Sequence, residues 1–190
     1  MSNLETTNSE GFDVIIKVGE KPNEKEFKAK KSILTSKSEY YKISLTENWE
    51  RKENGYFISV MPHISPSVFE VLLKYINTGD ISVENNKVSL VDILIASDEL
   101  QISGAYPELE RRLLKNKSSW KPSEIFTVLQ LDHLDHLTTL YNSSIELICR
   151  KPKKFFESEY FFKMKEAPLI KILKCDDLEL EKYEIWEYLI

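Results

Sequence analysis

The 190-residue chain has little of what usually announces chemistry. It holds two cysteines, Cys149 and Cys175, and five glycines. Two thiols in a chain that reads as intracellular are expected to be reduced cysteines, not a disulfide framework. The glycines form no phosphate-cradling loop, and no nucleophile–base arrangement stands out. No apolar run approaches the roughly 18 residues that a spanning helix needs. Residues Met1–Glu10 are polar, with Leu4 the one aliphatic side chain beyond the initiator, so no signal peptide is expected. The expected compartment is the cytoplasm or the nucleus.

Positive charge is also in short supply. The formal net charge is −5, whereas a phosphate-binding face needs clustered Lys and Arg. The basic runs Lys28–Lys31 and Arg150–Lys154 are short and lie beside acidic sequence. Neither nucleic acid nor a membrane is an expected partner. His133 and His136 stand three apart in "LDHLDHL", a spacing that puts both on one helix face. A structural zinc site needs four ligands, and Cys149 has no close second cysteine. The acidic "CDDLELEKYE" reads as a solvated helix start, since paired carboxylates need a cleft to do acid–base work. No catalytic residue, metal or cofactor is expected, and the chain reads as a non-enzyme.

Hydrophobic residues make up 42% and charged residues 30%, the balance of an ordinary globular protein. Residues 1–11 read as a disordered tail. "FDVIIKVG" is a β-branched run that reads as a strand, "EKPNEK" as a turn and "EFKA" as the returning strand. From Lys31 the apolar spacing becomes helical, with a break near Ser36–Ser38. "GYFISVM" is a third strand. In "HISPSVFEVLLKYINTGD", Ser65 suits an N-cap, Pro66 the first helical position and Gly79 a left-handed C-terminal cap. "DISV" reads as a small strand. Ser89 and Asp92 have capping-box spacing. "PELERRLLKN", "SEIFTVLQL", "HLTTLYNSSIELICR", "KEAPLIKILKC" and "EKYEIWEYLI" are all helical text. Mixed sequence gives way to helices alone near Asn116–Pro122.

Taken in order, "DVIIKVG", "FKAKKSIL", "SEYY", "SPSVFEVLLKYINTGDI" and "VDILIASDELQI" resemble a BTB (POZ) domain over residues 12–117. Residues 118–190, through "FFESEYF" and "PLIKILKCDDLELEKYEIWEYLI", resemble part of the BACK helical domain, expected to be truncated. The pairing is similar to that of kelch-type adaptors, including many fungal ones. The resemblance implies an α+β fold, a small three-stranded sheet flanked by helical hairpins, followed by an all-α segment. It implies a protein–protein interaction module that forms a homodimer and acts as a substrate adaptor for a cullin-based ubiquitin ligase. Substrate choice would then be left to a region absent here. The alternative is an oligomerisation scaffold for transcriptional or signalling complexes without ubiquitin function.

The resemblance also carries residue roles. It implies dimer-interface positions at Phe12, Asp13, Lys30, Lys31 and Ile33, with Asp13 and Lys31 near each other in a charged pocket. It implies cullin-contact positions at Leu45, Trp49 and Arg51. Tyr40 and Tyr41 are candidate anchors, because tyrosine buries area while its hydroxyl stays wet. Three departures stand out. Arg51 falls where the family's apolar-x-Glu motif has its carboxylate. Lys30 replaces a frequent histidine. The segment before Phe12 is too short for an exchanged N-terminal helix and strand.

Overall fold

The computed structural model describes residues 11–46, 51–83, 88–131 and 137–189. Three of its strands follow the apolar text: β1 (Val14–Val18), β2 (Lys25–Ala29) and β4 (Tyr56–Met61), with β3 (Arg51–Glu53) added before the last. The sheet order is β2-β1-β4-β3. β1 pairs antiparallel with β2, placing Ile16 opposite Phe27, and parallel with β4, placing Ile16 opposite Ser59. Val14, Ile16 and Val18 alternate onto one face and are wholly buried. A strand bonded on both edges and packed on one face is the most constrained element of a small sheet.

The sheet thus has four strands where three were expected. β3 pairs antiparallel with β4 through a two-residue connection, Asn54–Gly55. Both residues have positive φ, 51° and 84°, the conformation of a hairpin turn whose twist matches its strands. Asn-Gly supplies it at little steric cost. "DISV" is the opposite correction. Ile81–Val83 forms no strand; Ile81 instead buries its side chain in the core.

Helix α1 (Lys31–Lys37) and helix α2 (Glu39–Ser44) are separated by Ser38, at the expected break. Ser38 is extended, and its Oγ accepts from Tyr41 N–H (3.1 Å) while donating to Leu100 C=O (2.5 Å). Ser38 therefore ends α1 through its backbone N–H on Leu34 C=O, while its buried hydroxyl starts α2 and ties it to a distant turn. Tyr41 is fully buried with its hydroxyl 3.6 Å from Met61 Sδ. Burial holds that phenol well above its ordinary range, so it stays neutral. Tyr40 is half-buried and meets Tyr41 edge-on at 5.3 Å.

Helix α3 (Pro66–Thr78) begins and ends as its sequence specifies. Ser65 Oγ accepts from Val68 N–H, Pro66 occupies the first turn, and Gly79 closes the helix at φ 78° with its N–H on Tyr75 C=O at 2.7 Å. Val68, Phe69, Leu72 and Ile76 line the buried stripe, and Phe69 meets Phe27 of β2 edge-on at 5.0 Å. Helix α4 (Leu90–Glu99) is capped by Ser89 accepting from Val91 N–H. Helix α5 (Tyr106–Lys115) follows.

The chain divides into two compact units, Met1–Leu109 and Glu110–Ile190. Among the described residues the second contains helices and turns without strands: α6 (Pro122–Gln130), α7 (Thr138–Arg150), α8 (Pro152–Phe156), α9 (Glu166–Leu173) and α10 (Lys182–Leu189). Pro122 opens α6, and Glu124 Oε2 accepts from Lys121 N–H at 2.9 Å. The core of this unit includes an aromatic cluster. Phe156 stacks on Phe161 at 4.6 Å, and Tyr188 of α10 lies 5.3 Å from Phe156. No described helix is long and apolar enough to cross a membrane.

Gly79 offers a clean test of the α3 terminus. A Cβ there would meet no atom within 4 Å, so the cost of Gly79→Ala is left-handed strain alone, about 1 kcal/mol. Gly79→Asn is expected to lose about half as much or less, since Asn tolerates this region. Urea unfolding of the three proteins reads the difference.

Candidate interaction surface

Asp13 precedes β1 and joins three elements. Its N–H donates to Ala29 C=O at the end of β2 (3.2 Å), and its C=O accepts from Phe57 N–H in β4 (2.9 Å). Its carboxylate Oδ1 accepts from the backbone N–H of Lys31 at 2.6 Å. Lys31 is the first residue of α1, whose N-cap residue, Lys30, supplies no side-chain cap. An aspartate distant in sequence thus performs the capping that Lys30 cannot, and sits where the helix dipole favours an anion.

The expected Asp13–Lys31 proximity is present, made through the main chain. The Lys31 ammonium lies over the Phe57 ring, 4.2 Å from its centroid. Lys28 Nζ lies 4.4 Å above the Phe12 ring, which stacks on Tyr56 at 5.2 Å. Phe12, Tyr56 and Phe57 are all half-buried. The start of β1, the end of β2, the start of α1 and the start of β4 therefore present aromatic rings topped by lysines. Cation–ring contacts of this kind contribute roughly 0.5–1 kcal/mol when exposed and more when desolvated. Ile33 is half-buried on α1 and Lys30 is exposed beside it. The structure brings Phe12, Asp13, Lys30 and Lys31 together at this corner. Lys28, Tyr56 and Phe57 join them. The sequence signal for those three was the alternation of the strands that carry them.

The other expected surface fares differently. Leu45 is 2% exposed; the end of α2 turns inward, and its side chain packs the core instead of facing a partner. Trp49, like His133 and His136, lies outside the described residues. Arg51 begins β3, opposite Ile58 of β4, so its backbone is held in a ladder. The β3 edge is short and charged, "RKE", a composition that discourages uncontrolled strand addition.

One groove of the first unit holds groups that deserve a chemical reading. It encloses about 430 Å³ and is lined by His63, Ser65, Asp92 and Glu99 with apolar neighbours. His63 Nε2 contacts Glu99 Oε1, and Ser65 Oγ is aimed at the α3 N-terminus. A hydroxyl committed to a cap is poorly placed to serve as a nucleophile. Among the described residues, no three His, Cys, Asp or Glu side chains gather as metal ligands.

A small mixed sheet with helices around it carries the aromatic–lysine corner. The BTB/POZ domain family model matches residues 3–117, and the chain belongs to that family, whose domains are interaction modules. Kelch-like protein 40a of Danio rerio is 24% identical over 176 residues, covering 90% of this chain and 26% of its own length. Kelch repeat and BTB domain-containing protein 1 of cowpox virus is 28% identical over 159 residues, covering 84% and 27%. The chain spans about a quarter of the length of the curated relatives it matches. Among solved structures, the BTB domain of zebrafish PATZ1 aligns at 24% identity and TM-score 0.43, over 55% of this chain and 76% of that one.

Asp13→Ala should lower stability by about 1 kcal/mol, the usual worth of an N-cap. Asp13→Asn, which keeps the acceptor oxygen, should recover most of it. Denaturant unfolding monitored by circular dichroism distinguishes the two.

Proposed function

We infer that this chain self-associates through the α1 corner and works as an adaptor that links a cullin scaffold to substrates chosen elsewhere in a longer assembly. The observation that supports this most is the grouping of Phe12, Tyr56 and Phe57 under Lys28 and Lys31, at one corner and beside α1. Aromatic side chains are enriched in interface cores, and the two lysines are held over them by cation–ring attraction. An interface of standard size would bury on the order of 1,600 Å² in total. Residues 12–117 act as the BTB/POZ part and residues 118–190 as a BACK-like helical part.

A second reading is favoured by the stretch that should meet the cullin. Arg51 replaces a carboxylate in the motif, and β3 pairs its backbone with β4. A cation in a pocket shaped for an anion costs several kcal/mol if it stays buried, although a long side chain can swing to solvent. The second reading is therefore an oligomerisation scaffold with weak or no cullin affinity.

Sedimentation velocity separates the readings, run on the chain alone and with a cullin N-terminal fragment. The chain alone should run as a dimer at micromolar concentration, and Ile33→Glu, which places a carboxylate on α1, should shift it to monomer. A persistent monomer overturns the self-association. With the cullin fragment, Arg51→Glu should tighten binding by about tenfold, roughly 1.4 kcal/mol. If neither the natural chain nor Arg51→Glu binds, the scaffold reading stands.

A further inference from the structure

The only two cysteines of the chain lie in the second unit, and the fold brings them together. Cys149 is in the last turn of α7 and is 1% exposed. Cys175 follows α9 and is half-buried. A backbone bond holds the two segments to each other: Glu179 N–H donates to Cys149 C=O at 2.9 Å, while Cys175 N–H closes the turn after α9 on Ile172 C=O at 3.0 Å. Both cysteines line one surface pocket of about 250 Å³, with Asn142, Glu146, Lys171 and Asp177. Cys175 is near enough to Cys149 to perturb its thiol. Burial first, and then that neighbour, push the Cys149 thiol up to about 12, so it rests as a protonated thiol.

We propose that Cys149 and Cys175 form a reversible dithiol–disulfide pair, oxidised by small organic disulfides that enter through the pocket. The exposures set the order of events. The Cys175 thiol gives up its proton and attacks one sulfur of the reagent; a new S–S bond forms, the reagent's own S–S bond breaks, and one small thiolate leaves and takes up that proton. Cys149 then gives up its proton and attacks the Cys175 sulfur. The Cys149–Cys175 bond forms, the mixed disulfide breaks, and the second small thiol departs with the proton. Two protein thiols are oxidised and one small disulfide is reduced to two thiols. Proximity favours the second step, because both cysteines line the same pocket. The cross-link would fasten the exit of α9 to the end of α7.

The two readings are independent: this pair lies in the second unit and does not require self-association or a cullin. The test uses the full chain and oxidised glutathione, followed by acid quench, intact mass and non-reducing peptide mapping. The expected product is lighter than the reduced chain by two hydrogens, joins the Cys149 and Cys175 peptides, and reverts with dithiothreitol. Cys149→Ser should stop at the first step and retain one glutathione on Cys175. Three results from the natural chain overturn the proposal: a lasting glutathione adduct, a cross-link between two chains, or two free thiols under excess oxidant. Those results stand whether or not the variant folds.

Discussion

The first unit depends on β1 being bonded on both edges. Its antiparallel neighbour β2 arrives through a short turn, but its parallel neighbour β4 comes from a segment well along the chain. Everything between, α1 and α2 included, must fit the space that this pairing leaves. Asp13 sits at the point where that constraint is transmitted. Its backbone continues the ladder to both neighbours, and its carboxylate fixes the first turn of α1. The helix is thereby oriented by the sheet rather than by its own N-cap residue, Lys30. A seven-residue helix is too short to be stable alone, so this external cap and the burial of Leu34 carry a large share of its definition.

The same arrangement shapes the surface. Because α1 begins beside the end of β2 and the start of β4, the lysines of "KAKK" fall over rings from the start of β1 and from β4. Lys28 and Lys31 are held by Phe12 and Phe57, which limits the side-chain entropy they would lose on meeting a partner. A corner with its cations already in place suits recognition better than a fringe of free lysines. The family identity and this corner point to the same activity, a module that binds proteins.

Local rules made most of the fold legible. Ser65, Pro66 and Gly79 bounded α3, and the polar cluster at Ser36–Ser38 marked the division between α1 and α2. Period-two alternation in "VIIKV" marked β1. Features that pair residues distant in sequence were harder to read. The β3–β4 hairpin carried an Asn-Gly signal, but "RKE" has no apolar alternation, so the strand was hidden by its own charge. Leu45 followed helical spacing, which does not say which face of a short helix turns inward. The cap by Asp13 and the meeting of Cys149 with Cys175 depend on tertiary placement, and no spacing rule encodes them. The resemblance brought Asp13 and Lys31 together in outline, while the geometry replaced an ion pair with a helix cap.

The central claim is that the α1 corner is where this module meets a second copy of itself. Hydrogen exchange read by mass spectrometry, on dilute and concentrated samples of the same protein, tests it at peptide resolution. The account predicts that amides of Phe12–Ala29 and Lys31–Lys37 gain protection with concentration, while those of Thr138–Arg150 in α7 do not change. Protection that is independent of concentration, or that rises on α7 and not on α1, would contradict it.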